Sequence, residues 1–261
     1  MAVSTREVRR PYSPTMRIRL IVAGALSVLL VAGLPTAQAL SSSSDSASNA
    51  PWVEQVGTYT YLIAPNYSGL APISSVLSPN ALGLGTFDAL DGELMILQGV
   101  AYRVGLDGVP RAVSADLTSP FVQAIAFKPD VSGPVAPGTT CAALVSAINA
   151  LAQTDTGVVG VRVRGTFTDL VTRSVPAQTK PYKPLAEVVA NQTVFQLGQK
   201  RAVLMGFRTG NDLAGTGAPG LHLHGLTADK SAGGHVLSCV AGGDVQLSVQ
   251  RAAGAQVSSA N

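Results

Sequence analysis

All three histidines of the chain fall in one short segment, at His222, His224 and His235. Two histidines at positions i and i+2 of a strand point to the same face, because side chains alternate with a period of two. A third histidine, after a turn that ends in Gly233-Gly234, can reach that face from the next strand. Neutral imidazole is the commonest protein ligand for metals, and three imidazoles with an open position are typical of a catalytic zinc site. The spacing therefore predicts bound Zn²⁺; the alternative is three surface histidines that a hairpin brings together by chance.

The elements that must position these histidines are mostly strands. Runs of β-branched and aromatic residues, separated by Gly, Asp and Pro turns, predict strands at 52–64, 83–87, 92–97, 100–104, 121–127, 158–167, 192–197, 201–209, 220–226, 235–241 and 244–249. Helical spacing predicts helices at 70–77, at 139–153 with Thr139 or Thr140 as N-cap, and at 184–189 with Pro184 in its first turn. Two β-rich halves with a few helices indicate an α+β protein.

The first residues have the pattern of a secretory signal peptide. Five arginines precede an apolar run at 20–34, and Ala37-Gln38-Ala39 is a small-x-small cleavage signal, so we expect cleavage after Ala39. The apolar run is shorter than the ~20 residues that span a bilayer, so no stable membrane span is expected after cleavage. A Ser-rich, disordered spacer is predicted at 40–51. The protein is therefore expected in the medium or in the cell envelope.

Charge bears on the possible binding partners, and the two cysteines bear on the compartment. Removal of the leader deletes five arginines and one glutamate, which takes the formal charge from +3 to about −1. Without a basic patch, nucleic-acid binding has no electrostatic support. Cys141 and Cys239 form either a disulfide, which an oxidising compartment permits, or two separate buried thiols. The sequence leaves that choice open.

An ordered set of local motifs resembles the α-acetolactate decarboxylase family. The resemblance runs from about Tyr59 to about Val249. Its motifs are Gly83-Leu84-Gly85-Thr86-Phe87-Asp88-Ala89-Leu90-Asp91-Gly92-Glu93, Thr172-Arg173-Ser174-Val175-Pro176, Lys180-Pro181-Tyr182-Lys183-Pro184-Leu185-Ala186-Glu187, Gly206-Phe207-Arg208-Thr209, Pro219-Gly220-Leu221-His222-Leu223-His224 and Gly233-Gly234-His235-Val236-Leu237.

The resemblance implies a fold and a reaction. Family members are two-domain α/β proteins that dimerise, which implies a mixed-sheet domain at 52–157, an antiparallel-sheet domain at 158–261 that carries the metal site, and a homodimer. The implied reaction is the zinc-dependent, non-oxidative decarboxylation of 2-acetolactate (2-hydroxy-2-methyl-3-oxobutanoate), a small 2-hydroxy-3-oxo acid, to acetoin and carbon dioxide through a metal-stabilised enediolate. By position in the motifs, the three histidines match the zinc ligands, Arg173 and Glu93 match catalytic residues, and Thr86 matches a residue of the substrate pocket.

The chemistry of these residue types agrees with the implied roles. The planar guanidinium of Arg173 can bind a carboxylate or a developing oxyanion in bidentate fashion. A carboxyl such as Glu93 in a partly apolar site can hold a proton near neutral pH and deliver it to the enediolate. The alternatives are a surface arginine in a Pro-flanked loop, a strand-end carboxylate beside the Asp91-Gly92 turn, and a threonine at position 86 that is present only as a β-former.

The chain departs from the family pattern at its C-terminal side. Family members carry a glutamate there that reaches the metal site, whereas this chain has no acidic residue after Asp244. Water, Asp229 or Asp244 would then complete the metal coordination. The departure keeps a second hypothesis open, a catalytically impaired metal-binding protein on the same scaffold. A cupin-type dioxygenase also uses a His-x-His pair, but the glutamate that it requires a few residues later is missing here.

Overall fold

The structure, a computed structural model, describes residues 50–258. The predicted leader (1–39), most of the predicted spacer (40–51) and the last three residues lie outside the described residues. Strands dominate the described part, with mixed and antiparallel sheets and few helices, which confirms the predicted α+β class. Within 50–258, each helix is too short or too polar to cross a bilayer.

The described strands and helices are numbered in chain order. The strands are Val53–Val56 (β1), Ala71–Pro72 (β2), Ala81–Thr86 (β3), Glu93–Leu97 (β4), Val100–Val104 (β5), Pro110–Ala112 (β6), Thr118–Ser119 (β7), Val122–Ala126 (β8), Val131–Pro134 (β9), Val158–Ser174 (β10), Thr193–Gln196 (β11), Lys200–Thr209 (β12), Gly220–Thr227 (β13), Gly233–Ala241 (β14), Gln246–Arg251 (β15) and Ala255–Ser258 (β16). The α-helices are Tyr59–Ile63 (α1), Cys141–Ala152 (α2) and Leu185–Ala190 (α3), and short 3₁₀ turns lie at Ile73–Val76, Asp88–Leu90 and Asn211–Leu213.

Two seven-stranded sheets carry the fold. The first has the order β16-β1-β8-β3-β4-β5-β6, and it is mixed because β16 runs parallel to β1 while its other pairs are antiparallel. The second has the order β12-β13-β14-β10-β15-β9, with β11 on the end of β10. Because β12 also pairs with β10, the strands β10, β12, β13 and β14 form a closed ring. The division into domains at 157/158 stays a prediction.

The core lies between the two sheets and on their outer faces. Leu84, Met95 and Ile125 of the first sheet pack against Met205 and Phe207 of the second, and all five are buried. Burial of each such side chain stabilises the fold by roughly 1.5–3 kcal/mol before the entropy of ordering is subtracted. A second cluster lies under α2, and a third covers the far side of the first sheet. The interface between the sheets is therefore well packed, and β4, β10, β13 and β14 meet at it.

The structure corrects three sequence expectations. Residues 52–64 are not one strand, because Gly57 with φ +63° ends β1 and the Thr58 hydroxyl caps α1 by accepting from the amide of Tyr61 at 3.0 Å. The segment 70–77 is not an α-helix but a two-residue strand and a 3₁₀ turn. Strand β10 does not end at Phe167 but continues to Ser174, so Arg173 lies on a strand and not in a loop.

The predicted helix at 139–153 is present, and a disulfide joins its first residue to a strand. Helix α2 begins at Cys141, and Thr140 is its N-cap, accepting from the amide of Ala143 at 3.3 Å. Cys141 forms a disulfide with Cys239 of β14, with 5.1 Å between the Cα atoms. Of the two alternatives for the cysteines, the bonded one is therefore present, and it ties α2 to the strand that begins with Gly233-Gly234-His235.

Candidate active site

The three histidines converge as their spacing predicts. His222 and His224 lie two residues apart on β13, and His224 is the register partner of His235 on β14. The Nδ1 atom of His235 lies 3.2 Å from His222 Nε2 and 3.2 Å from His224 Nε2. The three candidate ligand atoms all lie within 4.8 Å of one another.

This arrangement fits a bound metal ion. Two imidazole nitrogens at tetrahedral angles on a zinc ion, each about 2.0–2.1 Å from it, are roughly 3.3 Å apart, close to the distances seen here. The carbonyl of Leu94 accepts a hydrogen bond from His224 Nδ1 at 2.8 Å, so the proton of that ring lies on Nδ1. The lone pair of Nε2 therefore points at the other two rings, as a metal ligand requires.

Burial keeps the three imidazoles in the neutral form that binds metal. Burial, together with a smaller effect of the positive Arg173, lowers the pKa of His222 from 6.5 to about 3. The pKa values of His224 and His235 are held well below their usual range, mainly by burial, again with a contribution from Arg173. Within the described part of the chain, the Nδ1 atom of His222 is buried without a hydrogen-bond partner.

Glu93 and Arg173 form an ion pair beside the histidines. Arg173 Nη1 donates to Glu93 Oε1 at 2.5 Å, and Glu93 Oε2 lies 3.4 Å from His224 Nε2. Glu93 is the first residue of β4, and Arg173 is the register partner of His235 on the neighbouring strand. Burial raises the pKa of Glu93, and the charge of Arg173 opposes that rise. The carboxyl is thus more easily protonated than an exposed one, as a proton donor must be.

Thr86 borders the same space. It ends β3 opposite Glu93 in register and is buried. Its hydroxyl donates to the carbonyl of Gly92 at 2.8 Å, so its oxygen lone pairs are left to accept a hydrogen bond from a bound molecule. This hydrogen bond also holds the turn that precedes Glu93.

All six site residues predicted from the sequence line one cavity of about 310 Å³. Their roles as ligands, catalytic groups and pocket wall stay predictions. The apolar part of the cavity wall was not predicted from the sequence, although the i, i+4 spacing of Leu185 and Val189 in the helix at 185–190 is a signal for it. That wall is formed mainly by Tyr59, Leu62, Leu90, Phe121, Val175, Leu185, Val189 and Leu221.

The two aspartates considered as further ligands lie outside this cavity. Asp229 accepts from the amide and the hydroxyl of Ser231 at 3.0 and 2.8 Å, within the β13–β14 turn. Asp244 accepts from Arg201 Nη1 at 2.8 Å and from the amide of Thr166 at 2.7 Å. Hydrogen bonds lower the pKa of both carboxylates. The largest effect comes from the side chain of Thr227 for Asp229 and from the amide of Thr166 for Asp244. Neither aspartate is therefore a candidate ligand beside the three histidines.

Comparisons with known proteins point to one family. The family model described as Alpha-acetolactate decarboxylase matches residues 53–261. An alpha-acetolactate decarboxylase of Methanosarcina mazei is 36% identical over 183 residues, which are 70% of this chain and 64% of that protein. One from Raoultella terrigena is 32% identical over 185 residues, 71% of each chain. The crystal structure of alpha-acetolactate decarboxylase from Bacillus subtilis strain 168 superposes with a TM-score of 0.75 at 30% identity, covering 80% of this chain and 89% of that one.

Proposed function

Because the chain belongs to the alpha-acetolactate decarboxylase family, we propose that it converts 2-acetolactate to acetoin and carbon dioxide in the cavity around the three histidines. The observation that carries the proposal is the juxtaposition of a three-imidazole cluster with the Glu93–Arg173 pair in one cavity. Zn²⁺ is the proposed cofactor, held by His222, His224 and His235. When bound, it supplies a Lewis acid for the ketone and hydroxyl oxygens of the substrate.

The chain's own residues account for the remaining needs of the reaction. The bond between the carboxylate carbon and the neighbouring carbon breaks, carbon dioxide leaves, and the electron pair moves to the ketone oxygen to give an enediolate. One proton must then reach carbon to give acetoin. Arg173 keeps further N–H groups free of Glu93, and these can bind the substrate carboxylate or the developing negative charge.

Glu93 is the proposed proton donor. Its Oε1 is fixed by Arg173, while Oε2 faces His224 and the space where the substrate would lie. Burial raises the pKa of Glu93, although Arg173 opposes the rise, and a raised pKa favours the protonated form that a proton donor needs. Thr86 would orient a substrate hydroxyl by accepting its hydrogen bond. Apolar side chains of α1 and α3 line the same cavity and would exclude water around a bound substrate, which would strengthen these polar interactions.

The experiment combines metal analysis with an acetoin assay. Purified wild-type protein should contain zinc and release acetoin and carbon dioxide from 2-acetolactate, and a chelator should abolish the release. His224→Ala should lose both metal and activity, because it removes a buried ligand. The matched control is Asp229→Asn, which changes a turn carboxylate outside the cavity and should keep both. A zinc-loaded wild type that releases no acetoin would refute the function and leave the catalytically impaired metal-binding protein.

We further propose that the protein acts in the medium or the cell envelope as a homodimer. The leader pattern at 1–39 supports export, and so does the Cys141–Cys239 disulfide, since such bonds persist in oxidising compartments. The family resemblance supports the dimer. Sequencing the N-terminus of the protein recovered outside the cytoplasm should show cleavage near Ala39, and sedimentation of that protein should give twice the mass of one chain. An uncleaved cytoplasmic protein, or a monomer, would contradict the corresponding proposal.

A further inference from the structure

Arg173 is flanked on β10 by two hydroxyl residues that the reaction itself does not use. Thr172 and Ser174 are both fully buried, and neither lines the cavity. Each donates one hydrogen bond to a backbone carbonyl of another strand. The Thr172 hydroxyl donates to Gly233 at 2.9 Å, and the Ser174 hydroxyl donates to Val104 at 2.9 Å.

The Thr172 bond joins Arg173 to the histidine hairpin. Its acceptor, Gly233, begins β14, and His235 two residues later is the register partner of Arg173. Between them Gly234 has φ +132°, and a Cβ built on it would lie 2.5 Å from the Arg173 carbonyl oxygen. The pairing of β10 with β14 shifts register between Val171 and Thr172, an irregularity of the kind that re-aims neighbouring side chains. The Thr172 hydroxyl therefore fixes the hairpin against β10 where the ladder is irregular.

The Ser174 bond joins Arg173 to the strands that carry Glu93. Its acceptor, Val104, is the register partner of Glu93 in the β4–β5 pair. Gly92, with φ +89°, packs against the same carbonyl, because a Cβ on it would lie 2.6 Å from the Val104 oxygen. Arg173 thus reaches Glu93 through two routes, the side-chain ion pair and the backbone contact that Ser174 maintains.

We propose that Thr172 and Ser174 are positioning residues that set Arg173 relative to the metal centre on one side and to Glu93 on the other. The proposal rests on the proposed function for its catalytic half and on the histidine cluster alone for its metal half. Because the two hydrogen bonds run to different strands, one hydroxyl affects catalysis and the other affects metal binding. Ser174 holds the Glu93–Arg173 pair in register for catalysis, and Thr172 holds His235 in place for metal binding.

The test uses variants that remove one hydroxyl at a time. Ser174→Ala should lower kcat about 10-fold with KM and zinc affinity unchanged, because small misplacements of catalytic groups reduce rates strongly. Thr172→Val, which keeps the side-chain shape, should weaken zinc binding about 10-fold in titrations of the metal-free protein against a chromophoric chelator, as loss of groups that support ligands does. Thr172→Ser keeps the hydroxyl and should bind zinc within about twofold of wild type.

The control separates positioning from simple stability. Ser248→Ala removes another buried serine hydroxyl, one that lies away from the cavity. The Ser248 hydroxyl accepts a hydrogen bond from Ser132 Oγ at 2.8 Å in the β9–β15 pair. This variant should lower the melting temperature without changing kcat or zinc affinity. Equal kcat losses in Ser174→Ala and Ser248→Ala, or wild-type zinc affinity in Thr172→Val, would overturn the proposal. A wild type that makes no acetoin would instead refute the proposed function, and the Thr172 zinc titration would then decide the positioning proposal.

Discussion

The Cys141–Cys239 disulfide should stabilise the protein through the loop that it closes. The two cysteines are separated by 98 positions, which gives about 4.7 kcal/mol at 25 °C in the chain-entropy model. For a folded part of roughly 200 residues, unfolding entropies of about 0.4 kcal/mol per kelvin convert that loss to a melting temperature about 10 °C lower. The double variant Cys141→Ala/Cys239→Ala should show this decrease in calorimetry.

The single variants make the prediction specific to the bond. Each of Cys141→Ala and Cys239→Ala already breaks the disulfide, so each should lower the free energy of unfolding nearly as much as the double variant does. Urea titrations under non-reducing conditions measure this, with wild type in a reducing agent as the control. Two small single losses that add up to the double loss would refute the reasoning, because that is how two separate buried thiols would behave. Acetoin release at 25 °C should persist, since neither cysteine lines the cavity.

Three further predictions concern the site. Arg173→Lys should lower kcat/KM by about 10- to 100-fold with the metal retained, because a lysine ammonium cannot bind Glu93 and a substrate oxygen with the planar, bidentate geometry of a guanidinium. A wild-type kcat/KM in steady-state kinetics would contradict this prediction. Glu93→Gln should lower kcat about 100-fold, since the amide cannot donate the proton; wild-type kcat in a zinc-loaded variant would exclude that role. The metal-free protein should lose stability as the pH falls below 6.5, because the folded-state pKa of His222 is lowered to about 3 and protons bind the unfolded chain preferentially. Equal urea midpoints at pH 7.5 and 5.5 would contradict this last prediction.

The metal cluster could be predicted from the sequence because its geometry is local. Side-chain alternation places His222 and His224 on one face, and a short hairpin brings His235 opposite them. The same reasoning failed for 52–64, where Tyr59, Tyr61 and Ile63 alternate as in a strand but lie in a short helix whose buried residue is Leu62. In that segment, the local cap at Thr58 decided the outcome. Short aromatic patterns do not distinguish a strand from a single helical turn.

Pairings between distant residues lay beyond what the spacing could predict. Glu93 and Arg173 are separated by 80 positions, and they meet because β4 of the first sheet packs against β13 and β14 of the second, and β14 pairs with β10. Their proximity was expected only through the family resemblance. The disulfide was undecided for the same reason, since no local pattern relates Cys141 to Cys239. The cavity's apolar wall combines residues of α1, α3, β13, a 3₁₀ turn and loops, whose individual patterns do not show that they face one space.

The parallel pairing of β1 with β16 has a consequence for the order of folding. Val53 is the register partner of Ala255, so the first described strand finds one neighbour only about 200 residues later, a highly non-local contact. During synthesis from the N-terminus, the histidine hairpin is complete before this edge of the first sheet. The first sheet of the growing chain therefore cannot be completed until residues 255–258 have been synthesised. Such a delay would favour the export proposed above, because a chain must cross the membrane before it folds.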